Sequence, residues 1–85
     1  MTNVVVPEGL LLESRRGGWW LRHVASNLPV TVAGFRTQQE LVAALRRAEP
    51  LGVDWTLSAE DFQRKLYGAR PAPAYHEACR ILAGP

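Results

Sequence analysis

Few side chains in this 85-residue sequence are of types that do covalent chemistry, and they are scattered. Cys79 is the only cysteine, and His76 lies three residues before it. On a helix that spacing sets a thiol and an imidazole on neighbouring faces, the start of a nucleophile and base pair. A lone cysteine is more often a small packing residue, so a hydrolase built on Cys79 and His76 is the weakest functional reading. His76-Glu77 begins a His-Glu-x-x-His zinc pattern, but Arg80 stands where the second imidazole belongs. His23 is remote from both, and no metal site is expected. Glu60 and Asp61 are adjacent carboxylates whose place in the first turn of a predicted helix is explained by the helix dipole. Ser14, Ser26 and Ser58 fall at turn or cap positions. Gly17-Gly18 leads into a predicted strand rather than a helix, so no phosphate-cradling loop is present. These observations predict no cofactor and no enzyme.

The residues better suited to binding are Trp19 and Trp20 with Arg15, Arg16, Arg22 and Arg36 around them. Tryptophan and arginine are the types enriched at binding hot spots. Nine of the ten cations are arginine, with Lys65 the only lysine, and arginine matches carboxylate and phosphate in bidentate fashion. A genome rich in G and C gives the same bias through codon usage. The formal charge of +2 is weak support for a polyanion partner.

The elements that position these residues are legible in outline. Leu10 to Ser14 reads as a strand, Arg15 to Gly18 as a hairpin turn with Gly17 and Gly18 supplying positive φ, and Trp19 to Ala25 as the partner strand. Alternation puts Trp19, Leu21 and His23 on one face and Trp20, Arg22 and Val24 on the other. Neither face is purely apolar, so the pattern leaves open which tryptophan is core and which faces a partner. Ser26 to Pro29 has turn composition, and Val30 to Phe35 reads as a third strand with Val30, Val32 and Gly34 on one face. Thr37 to Glu40 is a capping box opening a helix with Leu41, Ala44, Leu45 and Ala48 on its apolar stripe. Arg46 and Arg47 suit its last turn, and Pro50 and Gly52 end it.

Val53 to Thr56 reads as a short fourth strand or as an apolar loop packed on the core, with the strand favoured. Ser58 caps a helix that buries Phe62 and Leu66 and stops at Gly68. Pro73 opens a last helix with Ala74, Ala78, Ile81 and Leu82 apolar at helical spacing. The expectation is a single α+β domain over 1–85: a three- or four-stranded antiparallel sheet on one main helix over 10–56, then two short helices over 57–85. Those helices match a DNA-reading helix-turn-helix poorly, because the tight-packing position falls near Arg64 and two prolines occupy the connector. The sequence is 47% hydrophobic and 21% charged, ordinary for a globular protein. A single cysteine excludes an internal disulfide and suits a reducing compartment. The N-terminus carries no basic leader before its apolar residues, so a cytoplasmic protein is expected, with no membrane partner. In so small a domain a protein partner or a second copy would add useful burial.

Leu28-Pro29-x-x-Val32 followed by Thr37-x-x-Glu40, with an aromatic strand at Trp19-Trp20 ahead of them, resembles the HicB-like antitoxin family over roughly residues 10–48. Asn27, Val30 and Leu41 depart from the family's usual Asp, Gly and small residue, and Gly34 falls one position early. The resemblance implies a β-β-β-α-β domain that masks a small ribonuclease toxin, often as an oligomer, with a separate segment contacting an operator. Gly18-Trp19 and Phe35-Arg36-Thr37-Gln38 are also similar to a pattern in small bacterial proteins with a sheet-plus-helix unit. The leading expectation is thus a non-enzymatic protein-binding module of regulatory or antitoxin type. A nucleic-acid-binding regulator is the alternative.

Overall fold

A computed structural model describes residues 4–85. Its order is β1 (Leu10–Arg15), β2 (Gly18–His23), β3 (Leu28–Pro29), α1 (Gln38–Ala48), a 3-10 turn (Glu49–Leu51), α2 (Ala59–Tyr67) and α3 (Pro73–Leu82). The strands form one antiparallel sheet in the order β1-β2-β3. This is the expected α+β arrangement of a small sheet, a main helix and two further helices.

The hairpin forms because its turn is two residues long and both adopt positive φ, 51° at Arg16 and 74° at Gly17. That combination matches the twist of the flanking strands. The expected pair was Gly17 and Gly18, but Gly18 already pairs with Arg15 as the first residue of β2. At its far end β2 stops at His23 rather than Ala25. Val24 N–H still donates to the Gly9 carbonyl at 2.9 Å, one pair beyond Leu10 and His23 in the same register, and Asn27 then takes a left-handed φ of 57° before β3.

The third strand is much shorter than Val30 to Phe35, and it uses Leu28 and Pro29, which composition assigned to a turn. Two substitutes for strand pairing explain this. Thr31 Oγ1, rather than a backbone carbonyl, accepts the Leu21 N–H at 3.0 Å. Val32 and Ala33 N–H both donate to the Ala83 carbonyl, at 2.8 and 2.9 Å, so this segment is tied to the end of α3. Only Phe35 returns to the sheet, as an isolated antiparallel bridge to Trp19. Val30 is consequently buried while Val32 is exposed, and the two do not share a face.

The proposed fourth strand is absent as well. Asp54 Oδ1 accepts both the N–H and the hydroxyl of Thr56, at 2.9 and 2.5 Å, and folds the segment into a turn with Trp55 buried beneath it. The Thr56 bonds also hold the exposed Asp54 carboxyl below its ordinary pKa.

Helix starts are where the sequence placed them. Thr37 Oγ1 accepts from Glu40 N–H at 3.1 Å and Ser58 Oγ from Asp61 N–H at 3.1 Å, each satisfying an otherwise unpaired first-turn amide. The capping box is half made, since no bond from the Glu40 carboxylate to Thr37 N–H is present among the described residues. Pro73 is the first residue of α3, where its missing N–H costs nothing. The helices bury Leu41, Ala44 and Ala48 of α1, Phe62 of α2, and Ala78 and Leu82 of α3 against Leu10, Leu21, Val30 and Phe35. No described helix is long and apolar enough to cross a membrane.

Candidate protein-binding face

The strand register assigns each sheet residue a side. Leu10, Leu12 and Ser14 of β1 stand opposite His23, Leu21 and Trp19 of β2, and this set faces the helices. Leu21 and His23 are fully enclosed there, and Trp19 packs partly buried against the core. Leu11, Glu13 and Arg15, opposite Arg22, Trp20 and Gly18, form the outer face. The Trp19–Phe35 bridge extends that face by one row. It sets Gly34 beside Trp20 and Arg36 beside Gly18, because directly opposed residues of antiparallel strands share a side.

Trp20 is the centre of this face. Its indole lies flat on Gly34, where an added β-carbon would sit 2.9 Å from Cζ2 and 3.0 Å from Cε2. Gly34 also has a φ of 79°, so close approach and backbone conformation both call for glycine. Above the ring the Arg15 guanidinium stands 4.5 Å from the centroid, within cation–π range. The indole Nε1 is enclosed and donates to no acceptor among the described residues. Such an orphaned donor is uncommon in a folded chain and costs free energy while it stays unpaired.

The arginines divide into two kinds. Arg22 Nε donates to Glu13 Oε1 at 3.0 Å and its Nη1 to the Asn27 carbonyl at 2.8 Å, so it braces the hairpin and the following turn. Arg15, Arg16 and Arg36 form no ion pair among the described residues. Arg15 and Arg36 flank Gly18 across three adjacent chain segments, and Arg16 stands in the turn just beyond. The outer face is therefore short of acceptors, with Glu13 as its one acid and that acid already paired. Of the six residues singled out in the sequence, Trp20, Arg15, Arg16 and Arg36 gather at one end of the sheet, Arg22 is braced beside them, and Trp19 turns away.

No hydrogen bond joins Cys79 to His76 among the described residues. Burial in apolar surroundings pushes the Cys79 thiol pKa up, opposite to what a thiolate nucleophile needs. The His76 Nε2 is within 2.5 Å of the Leu66 carbonyl, so that nitrogen carries the proton and donates it. Both residues line a groove of about 440 Å³ between the start of β3, α2 and α3, together with Leu28, Val32 and Tyr67. Those last three are apolar side chains with more than half their surface exposed. Sequence periodicity missed this groove because Leu28 fell in a segment read as a turn, Tyr67 off the apolar stripe of its helix, and Val32 on a strand face shared with Val30 that does not form.

His23 was also passed over. It is buried between Ser26 Oγ at 2.7 Å and the Trp55 carbonyl at 3.0 Å, and its ring stacks on Phe62 at 4.2 Å. Both nitrogens being occupied, it is a structural histidine. Comparison with known proteins finds no matching family model, no matching curated protein and no matching solved structure.

Proposed function

We propose that this chain is a non-enzymatic module that binds a protein partner through the outer end of its hairpin, with Trp20, Arg15, Arg16 and Arg36 as the contact residues. The observation that supports it most is Trp20 held beneath Arg15 with an indole N–H that, among the described residues, has no acceptor, beside arginines that have no acidic partner there. A surface with surplus donors and one large aromatic ring is matched by carboxylate-bearing side chains that supply the missing acceptors. Arg22 contributes by fixing the hairpin. Trp19 contributes by anchoring β2 to the core.

An affinity capture from the native host, read by mass spectrometry, tests this. A protein retained by the natural chain and lost by an Arg15→Glu, Arg36→Glu variant that melts normally supports the reading. An identical captured set from both overturns it. The narrower role of an antitoxin that masks a small ribonuclease rests on the sequence resemblance alone, and a cytoplasmic setting on the single cysteine. The toxin's identity as the captured protein would supply the first.

The same unpaired arginines support a second reading, in which phosphate replaces carboxylate. Binding to a nucleic acid would then weaken steeply with added salt. No electrophoretic shift at low salt removes it.

A further inference from the structure

Among the described residues, β1 is an open edge of the sheet. Trp19 and Leu21 of β2 direct their backbone groups toward the third segment, with Trp19 N–H to Phe35 at 2.8 Å and Val30 N–H to Leu21 at 2.9 Å. Alternation then sends the backbone groups of Gly18, Trp20 and Arg22 to β1, where Arg15, Glu13 and Leu11 receive them. The backbone groups of Leu10, Leu12 and Ser14 therefore point away from the sheet. No backbone bond joins Leu12 or Ser14 to another element among the described residues, and Leu10 N–H alone is occupied, by the Pro7 carbonyl at 3.1 Å. An edge of this kind is normally blunted by proline, lysine, a bulge or a covering segment. Leu10–Arg15 contains no proline, its two charges, Glu13 and Arg15, are drawn across the outer face to Arg22 and Trp20, and its register with β2 is continuous, without a bulge.

The charges at the two ends of this edge are opposite. Glu8 stands just before β1 and Arg16 just after it, both exposed and neither in an ion pair among the described residues. A strand that is acidic at its head and basic at its tail complements itself when a second copy runs antiparallel. We infer that β1 pairs with β1 of a second copy about a two-fold axis at Leu12, joining two three-stranded sheets into one. In that register Leu12 exchanges both backbone bonds with Leu12 of the second copy. Ser14 N–H donates to the free Leu10 carbonyl of the other chain, and Arg16 comes alongside the other chain's Glu8. An axis at Glu13 would instead oppose Glu13 to itself, a destabilising like-charge pair. An axis at Ser14 would match Leu12 with Arg16, whose left-handed turn conformation cannot continue a ladder.

This pairing names a partner of the protein-binding reading without depending on it, since it is measured on the purified chain alone. Sedimentation equilibrium over a concentration series is expected to show a monomer and dimer, with the dimer weakened by salt. Ser14→Pro removes only an outward N–H and is expected to give a monomer with an unchanged circular dichroism spectrum. Glu8→Arg alone and Arg16→Glu alone are each expected to raise the dissociation constant about tenfold, as the two symmetric exposed pairs become repulsions. The double swap restores it. Should Ser14→Pro fail to fold, the charge series decides. A natural chain that stays monomeric throughout, or a double swap no tighter than either single change, overturns the inference. Arg36→Glu lies away from this edge, so its loss of partner capture without loss of the dimer separates the two proposals.

Discussion

The two faces of β2 are built from similar residues and do different things. On the inner face Trp19, Leu21 and His23 meet the core, and the enclosed polar atoms of the last two are matched: His23 holds Ser26 and the Trp55 carbonyl, and the Leu21 N–H holds Thr31. On the outer face Trp20 and Arg22 sit one residue away in each direction, and there a donor is left over. An interior matched in this way specifies one structure, whereas an outer face with surplus donors is complementary to something else. The difference teaches that sidedness, not residue type, separates the tryptophan packed on the core from the one proposed to meet a partner. It also gives an order of expected damage, with inner-face changes costing stability and outer-face changes costing contact.

The largest effect should come from Leu21→Ala. Leu21 is fully enclosed and central to the strand, so truncation removes buried apolar surface and leaves a cavity. A loss of about 3 kcal/mol in urea-unfolding free energy is expected. For a domain this small that is a large share of total stability. A loss under about 1 kcal/mol would mean that the inner face is not the structural one.

Thr31→Val comes next. Its hydroxyl accepts from Leu21 N–H and donates to the Leu82 carbonyl at 2.8 Å, tying β2 to the end of α3 through a fully buried side chain. Valine keeps the shape and deletes both bonds, leaving a buried donor and a buried acceptor unpaired. About 2 kcal/mol is expected. Faster amide exchange at Leu21 than at Trp20 is the specific sign.

Thr31 also marks where the sequence stopped being legible. The hairpin, the two serine and threonine caps and the proline start of α3 rest on local chemistry, and each was readable because its cause lies within four residues. The third strand was not, because β-branched residues between Leu28 and Phe35 suit a strand while their partners were decided far away in sequence. Ala83 supplies the carbonyl that draws off Val32 and Ala33, and Leu82 the one that orients the Thr31 hydroxyl. Nor could alternation say which tryptophan was core, since each is flanked by both apolar and polar neighbours. Gly34 settles that packing, and its position beside Trp20 depends on a single bridge between Trp19 and Phe35. The arginines around Trp20 were legible as residue types, but the removal of Arg22 from the free set required the Glu13 pair and the Asn27 carbonyl.

Gly34→Ala tests the floor of the outer face. The added methyl would enter at 2.9 Å from the Trp20 ring and at a φ that alanine disfavours, so the indole must shift. About 1 kcal/mol of destabilisation is expected. A change in near-ultraviolet circular dichroism from the displaced indole should accompany it, with the far-ultraviolet spectrum unchanged. An unaltered near-ultraviolet signal would mean that Trp20 does not rest on Gly34.

Arg15→Ala should be the mildest for stability and the most informative about contact. The guanidinium covers a half-buried ring, a cation–π arrangement worth about 0.5–1 kcal/mol at such a site. Because the variant leaves the inner face untouched, the melting curve should move only slightly. The indole N–H should change more. Enclosed and unpaired in the natural chain, it is expected to exchange faster once its cover is gone, which is visible as loss of protection at the Trp20 indole resonance and not at Trp19. Equal protection of the Trp20 indole in both chains would show that Gly34 and Gly18 alone enclose it and that Arg15 is free to swing. A selective loss ties the arginine and the ring into one unit, through which a carboxylate-bearing partner would have to displace the guanidinium to reach the indole.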